Sequence, residues 1–151
     1  MVDVVTPEKR SQMMAGIRAK NTKPELLIRS GLHRLGYRFR LHDRCLPGKP
    51  DIVLRKYKSA IFVHGCFWHV HECNIFKWPQ TRENFWRTKL LRNREVDSKS
   101  IAAIQGLGWR TAVVWECAIR GASSKTIPTV LGELDDWLQG GRSNLEIGGR
   151  I

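Results

Sequence analysis

Apolar positions change period several times along the chain, and the changes mark its elements. Leu26, Leu27, Leu32 and Leu35 recur at helical spacing behind Thr22-Lys-Pro-Glu25. Thr22 suits the N-cap, Pro24 the first turn and Glu25 the third position of a capping box, with Gly36 as the stop. Tyr37, Phe39 and Leu41 then alternate with Arg38, Arg40 and His42, the period of a half-buried strand. Pro47 and Gly48 punctuate a turn, and Pro50 to Leu54 form a second strand that begins with an acid, Asp51. A charged hairpin over 55–59 leads into a third strand, Ala60 to His64.

After a connection over 74–80, Thr81 to about Leu107 reads as one long helix ended by Gly106 and Gly108. Its first half carries Arg82, Arg87, Lys89, Arg92 and Arg94 around Phe85, Trp86, Leu90 and Leu91. Trp109 to Trp115 is a fourth strand, continuously apolar near its end and therefore central. Ile127 to Leu138 is an amphipathic last helix, and the Gly-rich stretch after it reads as a flexible tail. This order predicts an antiparallel meander followed by a helical crossover to a parallel strand. The fold class is α/β (α+β), a mixed sheet flanked by helices. The organisation is a basic N-terminal arm over 1–21, one domain over 22–139 and a tail over 140–151.

Composition narrows the function. The 151 residues carry a formal charge of +12, with six tryptophans, several of them in basic segments. Positive charge interleaved with aromatic rings points to a nucleic acid partner, and the basic arm suits a DNA clamp. No hydrophobic signal segment opens the chain and no apolar run approaches the ~20 residues of a membrane span, so a cytoplasmic monomer without membrane contact is expected. In a reducing compartment, the four cysteines mixed with histidines read as a metal site rather than as disulfides.

The densest chemistry lies between Ile61 and Cys73, which hold two cysteines and three histidines around Phe67-Trp68. Cys66, His71, Cys73 and the distant Cys117 are candidate ligands for a tetrahedral zinc, although spacing alone leaves His69 and His71 as alternatives. His64 and His69 are candidates for proton handling. The hairpin sets Asp51 beside residues 63 and 64, a plausible platform for Mg²⁺, which takes few protein oxygens. Phe67, Trp68 and Trp86 are candidate wedges between stacked bases.

Four segments together resemble the very-short-patch repair (Vsr) endonucleases: Leu46-Pro-Gly-Lys-Pro-Asp51, Phe62-Val-His-Gly-Cys-Phe-Trp-His69, His71 with Cys73, and Trp109-Arg with Val114-Trp-Glu-Cys117. The resemblance implies a restriction-endonuclease-like fold, a degenerate relative of the PD-(D/E)xK nucleases. It implies a Mg²⁺-dependent DNA mismatch endonuclease that nicks double-stranded DNA beside the thymine of a T:G mismatch left by deamination of 5-methylcytosine. That nick starts short-patch resynthesis, and mismatch-repair proteins become candidate partners. By position, Asp51 and the main-chain carbonyl of Val63 would bind Mg²⁺ and His69 would be the general base. His64, Glu25 and Asp97 would hold waters around the ion, and Phe67, Trp68 and Trp86 would form the wedge. Cys66, His71, Cys73 and Cys117 would hold a structural Zn²⁺, which selects His71 over His69. Some members carry Thr at position 63; here it is Val. The competing functions are a restriction-type nuclease cutting matched sites and a zinc-stabilised DNA-binding module without turnover.

Overall fold

The computed structural model describes residues 22–73, 75–120 and 124–149; the basic arm expected over 1–21 lies outside them. Helix α1 (Lys23–Arg34) starts where the capping residues require, with the Thr22 hydroxyl accepting the Glu25 N–H at 3.4 Å. Strands β1 (Arg40–Leu41), β2 (Ile52–Leu54) and β3 (Ser59–His64) follow, then helix α2 (Glu83–Gly106), β4 (Arg110–Trp115), α3 (Ile127–Gln139) and β5 (Asn144–Ile147). The five strands form one sheet in the order β1-β2-β3-β4-β5. The first three pair antiparallel, and β3–β4 and β4–β5 pair parallel. This is the mixed α+β arrangement that the element order predicts.

The two-residue period of the strands sorts the core. Ile52, Leu54, Ile61, Ala112 and Val114 face one way and pack with Ile28 and Leu32 of α1 and Val130, Leu134 and Trp137 of α3. Val53, Ala60 and Phe62 face the other way and meet Leu46 and Ile104. Gly31 permits the close crossing of α1 and α3, because a Cβ there would lie 2.2 Å from a Leu131 methyl. Helix α2 buries only Leu90 and Ile104 along its 24 residues, so it forms a wall rather than a core element. Among the described residues, no helix is long and apolar enough to cross a membrane.

The structure departs from the sequence pattern in two places. The strand expected over Tyr37–Leu41 shrinks to two residues, because Tyr37 turns in toward α3: its hydroxyl donates to Asp135 and accepts from Gln139 at 3.0 Å. The expected flexible tail is corrected as well, since Asn144–Ile147 pair with β4 and Ile147 is buried. Arg110 prepares that turn. Its guanidinium donates to the carbonyls of Trp137 (2.7 Å), Leu138 (3.1 Å) and Gly140 (3.1 Å), which caps α3 and aims the chain back at the sheet.

Candidate active site

Pairing of β3 with β4 sets the site. His64 and Trp115 are register partners at the ends of these parallel strands, so Cys66 and Cys117 emerge two residues later side by side. The His71 Nδ1 lies 3.6 Å from Cys66 Sγ and 3.5 Å from Cys117 Sγ. With Cys73, the four donor atoms all fall within 4.8 Å of one another. Tetrahedral bonds of about 2.3 Å to sulfur and 2.0 Å to nitrogen put neighbouring S and N donors about 3.6 Å apart, so the residues fit such an ion. The Cys117 N–H donates to Cys66 Sγ at 3.3 Å and the Gly149 N–H to Cys117 Sγ at 3.2 Å, arrangements that suit thiolate charge. Without a cation, burial pushes the Cys66 and Cys117 thiols up, and a neighbouring thiol adds to this in each case. The fourth cysteine of the chain, Cys45, is exposed and lies outside the cluster.

A second centre forms where β2 begins. One oxygen of Asp51 accepts the Val63 N–H at 2.7 Å, so the hairpin brings the acid to residue 63. Glu25, only 1% exposed, reaches the same place from α1. Its carboxylate accepts from Arg29 at 3.1 Å and meets His42 Nε2 at 2.9 Å, and Glu25, His42 and Asp51 offer donors within 4.8 Å of one another. Burial, and then the Glu25 carboxylate, push Asp51 up to about 7, although the Val63 amide opposes this. A buried acid, Glu25, facing the half-buried Asp51 makes a place where a divalent cation is welcome.

His64, His69 and Asp97 make a third group, with donor atoms within 4.8 Å of one another. The rings of His64 and His69 stack, 3.8 Å apart and 6° from parallel. Asp97, projecting from α2, binds His69 Nδ1. With that N–H committed to a carboxylate, the basic lone pair of the neutral ring is on Nε2. Burial, followed by the charge of His69, holds His64 well below the usual imidazole range, so it is neutral at physiological pH.

Beside these groups the rings of Phe67, Trp68 and Trp86 cluster, with centroids 4.9 to 5.9 Å apart. Phe67 and Trp68 leave the sheet in a turn that ends at Val70, whose φ of 51° is rare for a β-branched residue. The trio, Asp51, Glu25, His64, His69 and Asp97 line a single cleft of 1440 Å³. Further out, Arg82 lies 4.5 Å over the Phe85 ring and Arg87 4.4 Å over Trp78, so basic and aromatic groups interleave along α2.

All the candidate site residues thus fall into two neighbouring groups, the Cys/His cluster and the cleft. His42 is the member that the sequence pattern does not single out. In the chain it reads as one polar alternate of a strand, whereas here it follows β1 with φ 51° and turns to Glu25. Glu116 also escapes the pattern; its carboxylate accepts the Cys66 N–H at 3.2 Å and lines the cleft.

Known proteins resemble this chain over most of its length. Residues 2–75 match the family described as DNA mismatch endonuclease Vsr. The DNA mismatch endonuclease Vsr of Escherichia coli is 42% identical over 147 residues, which cover 97% of this chain and 94% of that protein. The type II nicking enzyme V.XorIIP of Xanthomonas oryzae is 49% identical over 119 residues, 79% of this chain and 88% of that protein. The type II nicking enzyme V.NmeAIP of Neisseria meningitidis is 44% identical over 120 residues, 80% of this chain and 86% of that protein. Likeness that runs nearly end to end makes this chain a member of the Vsr family of DNA mismatch endonucleases, an endodeoxyribonuclease that acts on DNA.

Proposed function

We propose that this enzyme nicks double-stranded DNA beside the thymine of a T:G mismatch, using one Mg²⁺ at Asp51 on a restriction-endonuclease-like scaffold pinned by Zn²⁺. The observation that carries the reading is the single cleft: it joins the acids Asp51 and Glu25 and a carboxylate-bound imidazole to an aromatic trio of the size needed to enter a base stack. Asp51 and the main-chain carbonyl of Val63 would hold the Mg²⁺, and Glu25 and His64 would order waters around it. When bound, that ion supplies positive charge where negative charge develops on the phosphate and the leaving oxygen. His69 accepts a proton from the attacking water at Nε2, and Asp97 keeps its ring in that tautomer and direction. Phe67, Trp68 and Trp86 pry open the stack at the mispair, while the basic residues of α2 and of the arm over 1–21 grip phosphates. Position 63 meets Asp51 through its amide, and the departure from Thr to Val leaves that contact intact. Cys66, His71, Cys73 and Cys117 would hold the zinc.

With Mg²⁺, a T:G duplex should yield one nick on the thymine strand and a matched duplex of the same sequence none. If the mismatched duplex stays whole, or the matched one is cut as fast, the assignment fails.

Two further results follow from the geometry. Asp97→Asn should slow single-turnover nicking roughly 100-fold through a misaligned base, while DNA affinity by fluorescence anisotropy stays unchanged. The second concerns pH. Asp51, raised to about 7 in the metal-free cleft, must lose its proton to bind a cation. Apparent Mg²⁺ affinity should therefore hold above that pH and fall roughly tenfold per unit below it. Raising Mg²⁺ should move the acid limb of the nicking rate to lower pH; a limb indifferent to Mg²⁺ would remove Asp51 from the ion's ligands.

A further inference from the structure

We propose that Trp115 is a positioning residue that carries the geometry of the Cys/His metal cluster to the imidazoles of the cleft. This rests on the reading above, in which His69 and His64 serve the reaction. Trp115 ends β4, directly across from His64. One face of its ring lies parallel to the His71 ring, 4.1 Å away and 6° off. It meets His64 edge-on at 5.3 Å and His69 at 6.3 Å, with interplanar angles of 67° and 68°. Two parallel stacks, His71–Trp115 and His64–His69, therefore abut steeply, and the indole is the ring of the first that meets both members of the second. The indole is itself fixed, because its Nε1–H donates to the Glu146 carboxylate on β5 at 2.6 Å.

The imidazoles need this support. His64 is 6% exposed and its Nδ1 finds no hydrogen-bond partner among the described residues. The aromatic rings packed beside it are those of His69, Phe62 and Trp115. Behind the pair lies a cavity of 430 Å³, which has Trp115, Glu146 and Arg94 in its wall. Without the indole, both rings gain room to turn into that space. A base displaced by about 1 Å can lose on the order of 100-fold in rate. β5 thereby gains a role: its Glu146 pins the indole that separates the metal ligand from the reacting groups.

The test uses zinc-loaded enzyme and a T:G duplex. Trp115→Leu should lower kcat roughly 10–100-fold with KM within about twofold and bound zinc unchanged, and Trp115→Phe should recover most of the loss. The ring-proton NMR signals of His64 and His69 should shift in the Leu variant. Should that variant shed its zinc, Glu146→Ala decides, because Glu146 is exposed and its loss frees the indole without removing a ring from the stack; kcat should fall roughly 3–10-fold with zinc retained. Zinc-loaded Trp115→Leu at wild-type kcat, or a defect confined to KM, overturns the inference; if the Leu variant loses zinc, Glu146→Ala at wild-type kcat does so instead. His69→Ala separates the two readings: nicking at the wild-type rate sinks the base assignment itself. An inactive His69→Ala beside a fully active, zinc-loaded Trp115→Leu sinks only the role of Trp115.

Discussion

Asp51→Asn is expected to lower nicking roughly 10³–10⁴-fold while making the metal-free protein more stable. The rate loss follows from removing the charged ligand of the ion, whose transition-state stabilisation amounts to several kcal/mol. The stability gain follows from burial. Asp51 is held at about 7 in the fold, above its ordinary carboxylate value. A group raised in this way favours folding only while protonated in both states. Its contribution is intact below the unfolded value near 4 and is lost as pH rises through 7. At pH 8 and without Mg²⁺ the wild type therefore carries an ionised acid beside Glu25, and Asn removes that cost. The amide oxygen of Asn can still accept the Val63 N–H. A gain of about 2 kcal/mol, or roughly 4–8 °C in Tm, is expected at pH 8 and should fade toward pH 4. Thermal melts at the two pH values check the sign. A variant that is less stable at pH 8 would show that the carboxylate is held by its partners rather than strained by burial.

The second large effect concerns the thiolate cluster. Zinc sites of this kind contribute about 10–16 kcal/mol in small zinc domains. Here the four ligands tie the turn after β3 to the end of β4, and Gly149 closes over Cys117. Chelation, or Cys117→Ala, should therefore remove more than about 5 kcal/mol and lose the cooperative melt, whereas Cys45→Ser should leave it unchanged. A thiol reagent should react quickly with Cys45 alone in the loaded protein and with all four cysteines after chelation. Fast reaction of all four thiols in freshly purified protein holding one zinc would contradict this cluster.

Local rules explain what could be read from the chain. Thr22, Pro24 and Gly36 bound a helix because caps and stops act within a turn. Two strands over 60–64 and 109–115 with a helix between suit parallel neighbours, and the observed pairing of β3 with β4 brings Cys117 back to Cys66. Three things resisted. Whether Glu25 serves as more than a cap depends on α1 crossing the start of β2, a long-range event that its own neighbours do not encode. His42 carries a left-handed backbone and a partner 17 residues away, neither of which alternation reveals. Strand β5 is four residues between glycines, too short for its period to register, and it exists because Arg110 holds the preceding turn. The resemblance to known nucleases supplied roles for Glu25 and Asp97 that periodicity does not; the structure brings Asp97 onto His69 itself.

The most direct test of a single ion at Asp51 facing an Asp97-held imidazole is anomalous diffraction from the enzyme bound to a T:G duplex with Mn²⁺ in place of Mg²⁺. The account predicts a peak about 2.1–2.2 Å from an Asp51 carboxylate oxygen, next to the Val63 carbonyl, with His69 Nε2 directed at the cleaved phosphate. A peak remote from Asp51, or a His69 ring turned away from that phosphate, would contradict it.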